Sequence, residues 1–227
     1  MRAAYSQTLA AFTIAIGYPG FPLLLRQFLH DHAHDYDSHL RSEDMLIDDL
    51  PMFDGCLSIH TSATVVFYAP SELAGPGGMH RETLRSTALW YRTYERRDTA
   101  LYVSPFAEDD AALDGLVVGQ IMRLLSFNHD GVHYTCALVE VFERVHDEPD
   151  PITGMWVVRP TVLPRRRCRK LALVHTDHLY RACHLIGRYG KAWIPLRFHF
   201  SRSHIAFRSF YLNHYVDYHA HECIPRE

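Results

Sequence analysis

The sequence predicts an α+β fold: a small antiparallel β-barrel flanked by N-terminal helices and a C-terminal amphipathic helix. Three observations carry the prediction. Apolar residues recur at helical spacing near the N-terminus and again after Ser203, whereas from Cys56 onward the period falls to 2. Asp130-Gly131 stands between two long β-rich runs, and this pair tolerates the positive φ that a tight hairpin requires. The remaining β-like runs are separated mostly by short turns, which favours an antiparallel sheet curled on itself.

Tyr5, Leu9, Phe12 and Ile16 fall at helical spacing, and Gly17-Tyr-Pro-Gly20 then ends that helix. A second short helix follows Pro22 and buries Leu24, Leu25, Phe28 and Leu29. Residues 30–49 are acidic and histidine-rich without a clear period and read as a solvated connector. Segment 1–55 is thus a helical unit with its connector. In the strand that begins at Cys56, Leu57, Ile59, Ala63, Val65 and Phe67 share one face, with Ser58, His60, Ser62 and Thr64 on the other. Gly75-Pro-Gly-Gly78 ends it as a tight turn. Further strands are predicted at 99–104, 116–127, 132–142, 155–159 and 171–175, which makes 56–190 the β-rich domain. Strands 116–127 and 132–142 are expected to pair about Asp130-Gly131. Segment 191–227 is read as helical. There Phe207, Phe210, Tyr211, His214, Tyr215 and Tyr218 form one apolar stripe, and Ser203 serves as cap.

The chain of 227 residues can bury a sizeable core, and 48% hydrophobic with 22% charged residues is ordinary for a globular protein. A formal charge of -3 supplies no global attraction to nucleic acid or to a membrane, so any nucleic-acid contact must be local. No apolar run has the length of a membrane span, and the N-terminus lacks the pattern of a signal peptide. Five scattered cysteines (Cys56, Cys136, Cys168, Cys183, Cys223) form no C-x-x-C pair, which points to a reducing interior, nuclear or cytoplasmic.

Arg165, Arg166, Arg167, Arg169 and Lys170 form the only dense basic run, framed by Pro160 and Pro164 as an exposed loop. Such a run can pair with phosphates, and these residues are the candidate nucleic-acid contacts. His30, Asp31, His32, His34, Asp35, Asp37 and His39 are metal-ligand types, but a connector does not preorganise them. The tail group His214, Asp217, His219, His221, Glu222 and Cys223 is the alternative place for metal-dependent chemistry, although His219 and His221 fall on different helix faces. No metal site, cofactor, small-molecule substrate or catalytic residue is nominated. The serines lack a G-x-S-x-G context.

Several blocks, in order, resemble the C-terminal region of the Plavaka/KDZ-type transposase-like proteins of mushroom-forming fungi. They include Phe67-Tyr-Ala-Pro-Ser-Glu-Leu-Ala-Gly-Pro-Gly-Gly-Met-His-Arg-Glu82, Tyr134-Thr-Cys-Ala-Leu-Val139 and Asp147-Glu-Pro-Asp-Pro-Ile-Thr-Gly-Met-Trp-Val-Val158. Val174-His-Thr-Asp-His-Leu-Tyr-Arg-Ala-Cys-His-Leu-Ile186 and a run from Phe207 to Glu222 complete the set. The resemblance implies a non-catalytic module or fragment of a transposable-element protein. Its partners would be the catalytic portion of a transposase and DNA, with no membrane. The family's metal-holding acidic triad belongs to an upstream RNase H-like core, and no residue here matches it. The arginine run and Gly187-Arg-Tyr189 depart from the family pattern. A fold-level likeness to BAH-like barrels accompanies the resemblance.

Overall fold

The computed structural model describes residues 3–37, 39–69, 76–106, 113–164, 168–191, 193, 196–199 and 203–225. The chain opens with strand β1 (Ala3–Thr8), which pairs with β2 (Cys56–His60), and only then turns into helix α1 (Leu9–Ile16). This corrects the expectation of a helix from Tyr5. Residues 5–8 are held by ladder bonds to residues 56–59, and the helix begins where Thr8 accepts a hydrogen bond from the Ala11 amide at 3.3 Å. Gly17 ends α1, as predicted. Helix α2 (Phe21–Ala33) carries Pro22 in its first turn and buries Phe21, Leu25, Phe28 and Leu29. It extends through His30 and His32, so the predicted connector begins later than its composition suggested. The Asp31 carboxylate then accepts from the Ser42 amide at 2.9 Å and the Ser42 hydroxyl at 2.7 Å, folding the following stretch back onto α2.

The backbone of the fold is the hairpin of β7 (Leu116–His129) and β8 (Val132–Arg144). Asp130 and Gly131 both have positive φ, 49° and 78°, as a two-residue primed turn demands. The expected antiparallel pairing runs from Val118↔Phe142 to His129↔Val132. Each outer edge of this hairpin is shared by two strands. Near the turn, β7 pairs with β2 and β8 with β12 (Leu171–His175). Toward the open end, β7 pairs with β6 (Thr99–Val103) and β8 with β9 (Val157–Pro160). A bulge at Ile121–Arg123 bends β7 between the two sets. Gly119 allows the same curl: a Cβ there would lie 3.0 Å from the Tyr102 ring and 3.1 Å from Val139. β13 (Leu179–Cys183) adds to β6, while β15 (Phe210–Leu212) and β14 (Leu185–Gly187) extend beyond β9. The result is a mixed α+β fold, mostly antiparallel, whose ten-stranded sheet curls as a half-barrel.

Alternation along β7 and β8 buries both faces. Leu125, Phe127, Cys136 and Leu138 meet α1 and α2. Leu124, Ala137 and Val139 meet a second, three-stranded sheet of β3 (Ser62–Tyr68), β4 (Met79–Trp90) and β5 (Tyr94–Arg97). The single predicted strand from Cys56 is thus two, because the chain leaves the first sheet at Thr61 and enters the second. A small hairpin, β10 (Val162–Leu163) with β11 (Cys168–Arg169), stands apart.

The predicted C-terminal amphipathic helix is also corrected. Phe210 and Leu212 are buried with Tyr211 between them half-buried, a period of 2, and they pair with β9 and β14. Helix is confined to one turn, α3 (Ser203–Ala206), and to α4 (Tyr218–Cys223), which Asp217 caps by accepting from the Ala220 amide at 2.7 Å. Trp156, buried at the sheet's far end, donates from its indole to the Pro225 carbonyl at 2.7 Å and so anchors the segment that follows α4. No single helix among the described residues is long and apolar enough to cross a membrane.

Candidate nucleic-acid interface

Residues 79–98 hold five arginines, at 81, 85, 92, 96 and 97, against three acids, Glu82, Glu95 and Asp98. Strand periodicity sorts them. Along β4 the odd positions Met79, Arg81, Thr83, Arg85 and Thr87 are the more exposed set, while Leu84 and Ser86 are buried. Glu82, the only acid in β4, turns inward with them. The outer face of this strand therefore carries cations without an acidic neighbour on the same strand. Register places Tyr68 opposite Met79, Val66 opposite Arg81 and Arg96 opposite Thr87, so β3 and β5 extend the same face.

At its end the Trp90 ring lies under two guanidinium groups, Arg96 at 4.6 Å and Arg85 at 5.2 Å from the ring centre. This packing holds two flexible cations at fixed positions. Arg96 also donates to Asp98, at 2.7 Å from Nε and 3.4 Å from a terminal nitrogen, which partly neutralises its charge. The hairpin tip beyond Trp90 is strained: Tyr91 and Arg92 have φ of 49° and 60°, left-handed values that non-glycine residues adopt at a cost. Tyr91 is 77% exposed there. β4 itself is anchored from below, where the Ser86 hydroxyl donates to the Met122 carbonyl, 2.8 Å away at the β7 bulge.

Only part of the arginine run singled out from sequence is among the described residues. Arg165, Arg166 and Arg167 fall outside the described residues. Arg169 is spoken for, since its guanidinium binds the buried carboxylate of Glu140. Lys170 is exposed, and its amide and carbonyl bond to Thr161 and Val141 at 2.7 and 2.9 Å. The density of basic residues points to the 165–170 run, whereas the β4 face shows in their alternation. The i, i+2, i+4 spacing of Arg81, Thr83 and Arg85 was the available signal.

The histidines are gathered by packing. His32 faces His175 at 5.3 Å between ring centres, Tyr36 faces His178 at 5.2 Å, and His30 stacks on His34 at 4.2 Å. Burial, together with His32, holds the His175 and His178 imidazoles below their usual pKa against the opposing pull of Asp177. In the tail, His219 approaches His80 at 4.9 Å, whereas His221 lies 5.5 Å from His214. Among the described residues, no three histidine, cysteine or acidic side chains converge as a metal site would require.

Arg181 is buried to 2% exposure, donates to Glu82 at 3.1 Å and Asp217 at 2.8 Å, and lies 4.7 Å over the Phe67 ring. Burial works against its charge, but the hydrogen bond to Asp217 and the two carboxylates keep its pKa above the ordinary arginine value. A cleft of about 470 Å³ opens between α2 and the sheet, lined by Tyr36, Arg41, Tyr102, Phe106, Lys170 and Leu173. The Tyr36 phenol is pushed well above its usual pKa, first by burial. No protein-family model, curated protein or solved structure matches the chain.

Proposed function

We propose that this chain is a non-catalytic module of a transposable-element protein of the Plavaka/KDZ-like kind, and that it contacts nucleic acid through the outer face of β3, β4 and β5. In this reading the half-barrel is a BAH-like scaffold, the module works in the nucleus, and its protein partner is the catalytic portion of a transposase. One observation carries the nucleic-acid contact. Arg85 and Arg96 are held over Trp90, and Arg81 lies farther along the same face, from which Glu82 is withdrawn. Positioned guanidiniums release counterions when they meet phosphates without paying the full entropy of ordering long side chains. The net charge of -3 confines the attraction to this patch.

The test is fluorescence anisotropy of labelled oligonucleotides at about 50 mM salt. Affinity is expected in the range of about 10⁻⁴ to 10⁻⁶ M and should fall steeply by about 200 mM salt. The variant Arg81→Gln/Arg85→Gln/Arg96→Gln should lose binding and flatten the salt dependence, with its circular dichroism unchanged. Arg169→Gln/Lys170→Gln should have the smaller effect, because Arg169 already serves Glu140. Absence of wild-type binding, or equal binding by the triple variant, refutes the reading.

A further inference from the structure

The β3–β4–β5 face is not uniformly charged, and its apolar part selects among nucleic acids. We infer that it takes single strands in preference to duplex, an inference that rests on the nucleic-acid reading above. Tyr68 is 55% exposed and Tyr91 77%, and Val66, Met79 and Leu89 are exposed as well. Because Tyr68 stands opposite Met79 and Val66 opposite Arg81, apolar and cationic side chains interleave over the face.

A duplex offers such a face its phosphates and sugars and keeps its bases stacked inside. The arginines would be satisfied, but Tyr68, Val66, Met79 and Tyr91 would stay wet. Groove entry is no remedy. Three strands spaced about 4.8 Å apart, with their side chains, are too broad for a major groove about 12 Å wide. An unpaired strand presents phosphate and base faces together. Bases can stack on exposed aromatic rings and on the guanidinium groups held over Trp90. Stacking uses the π-face common to all bases, so the preference is for strandedness and not for sequence, and DNA and RNA strands should serve alike.

The experiment titrates the full chain with a mixed-sequence DNA strand of about 20 nucleotides, the RNA strand of the same sequence, and the corresponding DNA duplex, at about 50 mM salt. Both single strands are expected to bind about tenfold more tightly than the duplex, and to quench tryptophan fluorescence as Trp90 is covered. Tyr68→Ser/Tyr91→Ser, at exposed positions that leave the core intact, should weaken single-strand binding about tenfold and leave duplex binding within about twofold. Duplex binding as tight as single-strand binding overturns the inference, as does an unchanged single-strand affinity in the tyrosine variant. Either result leaves the nucleic-acid reading standing. Failure of all three ligands to bind removes that reading itself.

Discussion

Replacing Arg181 with alanine tests the junction on which the second sheet, β13 and the C-terminal helix all depend. The wild-type guanidinium is 2% exposed and bonds to Glu82 from β4 and to Asp217, the cap of α4. Removing one partner of a buried ion pair costs about 3–5 kcal/mol where the remaining charge stays dry. Here Glu82 is 20% and Asp217 42% exposed, and each keeps a backbone donor, Ala182 and Ala220. Water reaches both carboxylates, which lowers the ion-pair part of the loss to about 2 kcal/mol. The cation–π contact with Phe67 contributes about 1 kcal/mol more. Arg181→Ala should therefore cost about 3 kcal/mol, lowering the thermal midpoint by about 6–12 °C for a chain of this size. Urea denaturation followed by circular dichroism measures the free energy, and calorimetry the midpoint. Arg181→Lys, which keeps the charge but not the fork, should fall between the two proteins. Limited proteolysis should cut the alanine variant first near Asp217, since the cap loses its orienting partner. A loss below about 1 kcal/mol, or lysine as damaging as alanine, would refute the argument that the paired charge holds these elements together.

Two other outcomes are expected. Arg92→Gly relieves a left-handed residue at the β4–β5 tip and should raise stability by about 1 kcal/mol in urea denaturation, while weakening oligonucleotide binding through loss of a cation; no gain in stability would contradict the strain read at that turn. The pH dependence follows from His175 and His178, whose folded pKa values lie below the unfolded one, so the unfolded chain binds more protons in that range. Their contribution is present above the ordinary histidine pKa of 6.5 and is lost as pH falls through the lower folded values; thermal melts between about pH 8 and 5 should show this decline, and His175→Gln/His178→Gln should flatten it.

Local chemistry made the central hairpin legible. Asp130-Gly131 specifies a turn that only positive φ can close, and the alternation on either side has one register that buries both apolar sets. Helix α2 was legible for a similar reason, with Pro22 at its start and its apolar stripe facing the sheet. The stretch 207–218 was not. Its aromatic spacing satisfies a helix, yet Phe210 and Leu212 also satisfy a strand, and the open edges of β9 and β14 decide in favour of ladder bonds. Residues 5–8 follow the same rule, because β2, some fifty residues later in the chain, completes their backbone bonding.

The charge pairing around the proposed interface depended still more on partners distant in sequence. Composition identified arginines, but not the acids that pair with them. Glu140 takes Arg169 across 29 positions and Arg181 pairs with Glu82 across 99, whereas Arg96 finds Asp98 two residues away. The sequence by itself determined the hairpin, the helix that covers it and the supply of cations. Tertiary structure alone decided which edge strands join and which charges pair, because backbone pairing and ion pairing are satisfied by proximity in space, which no local pattern records.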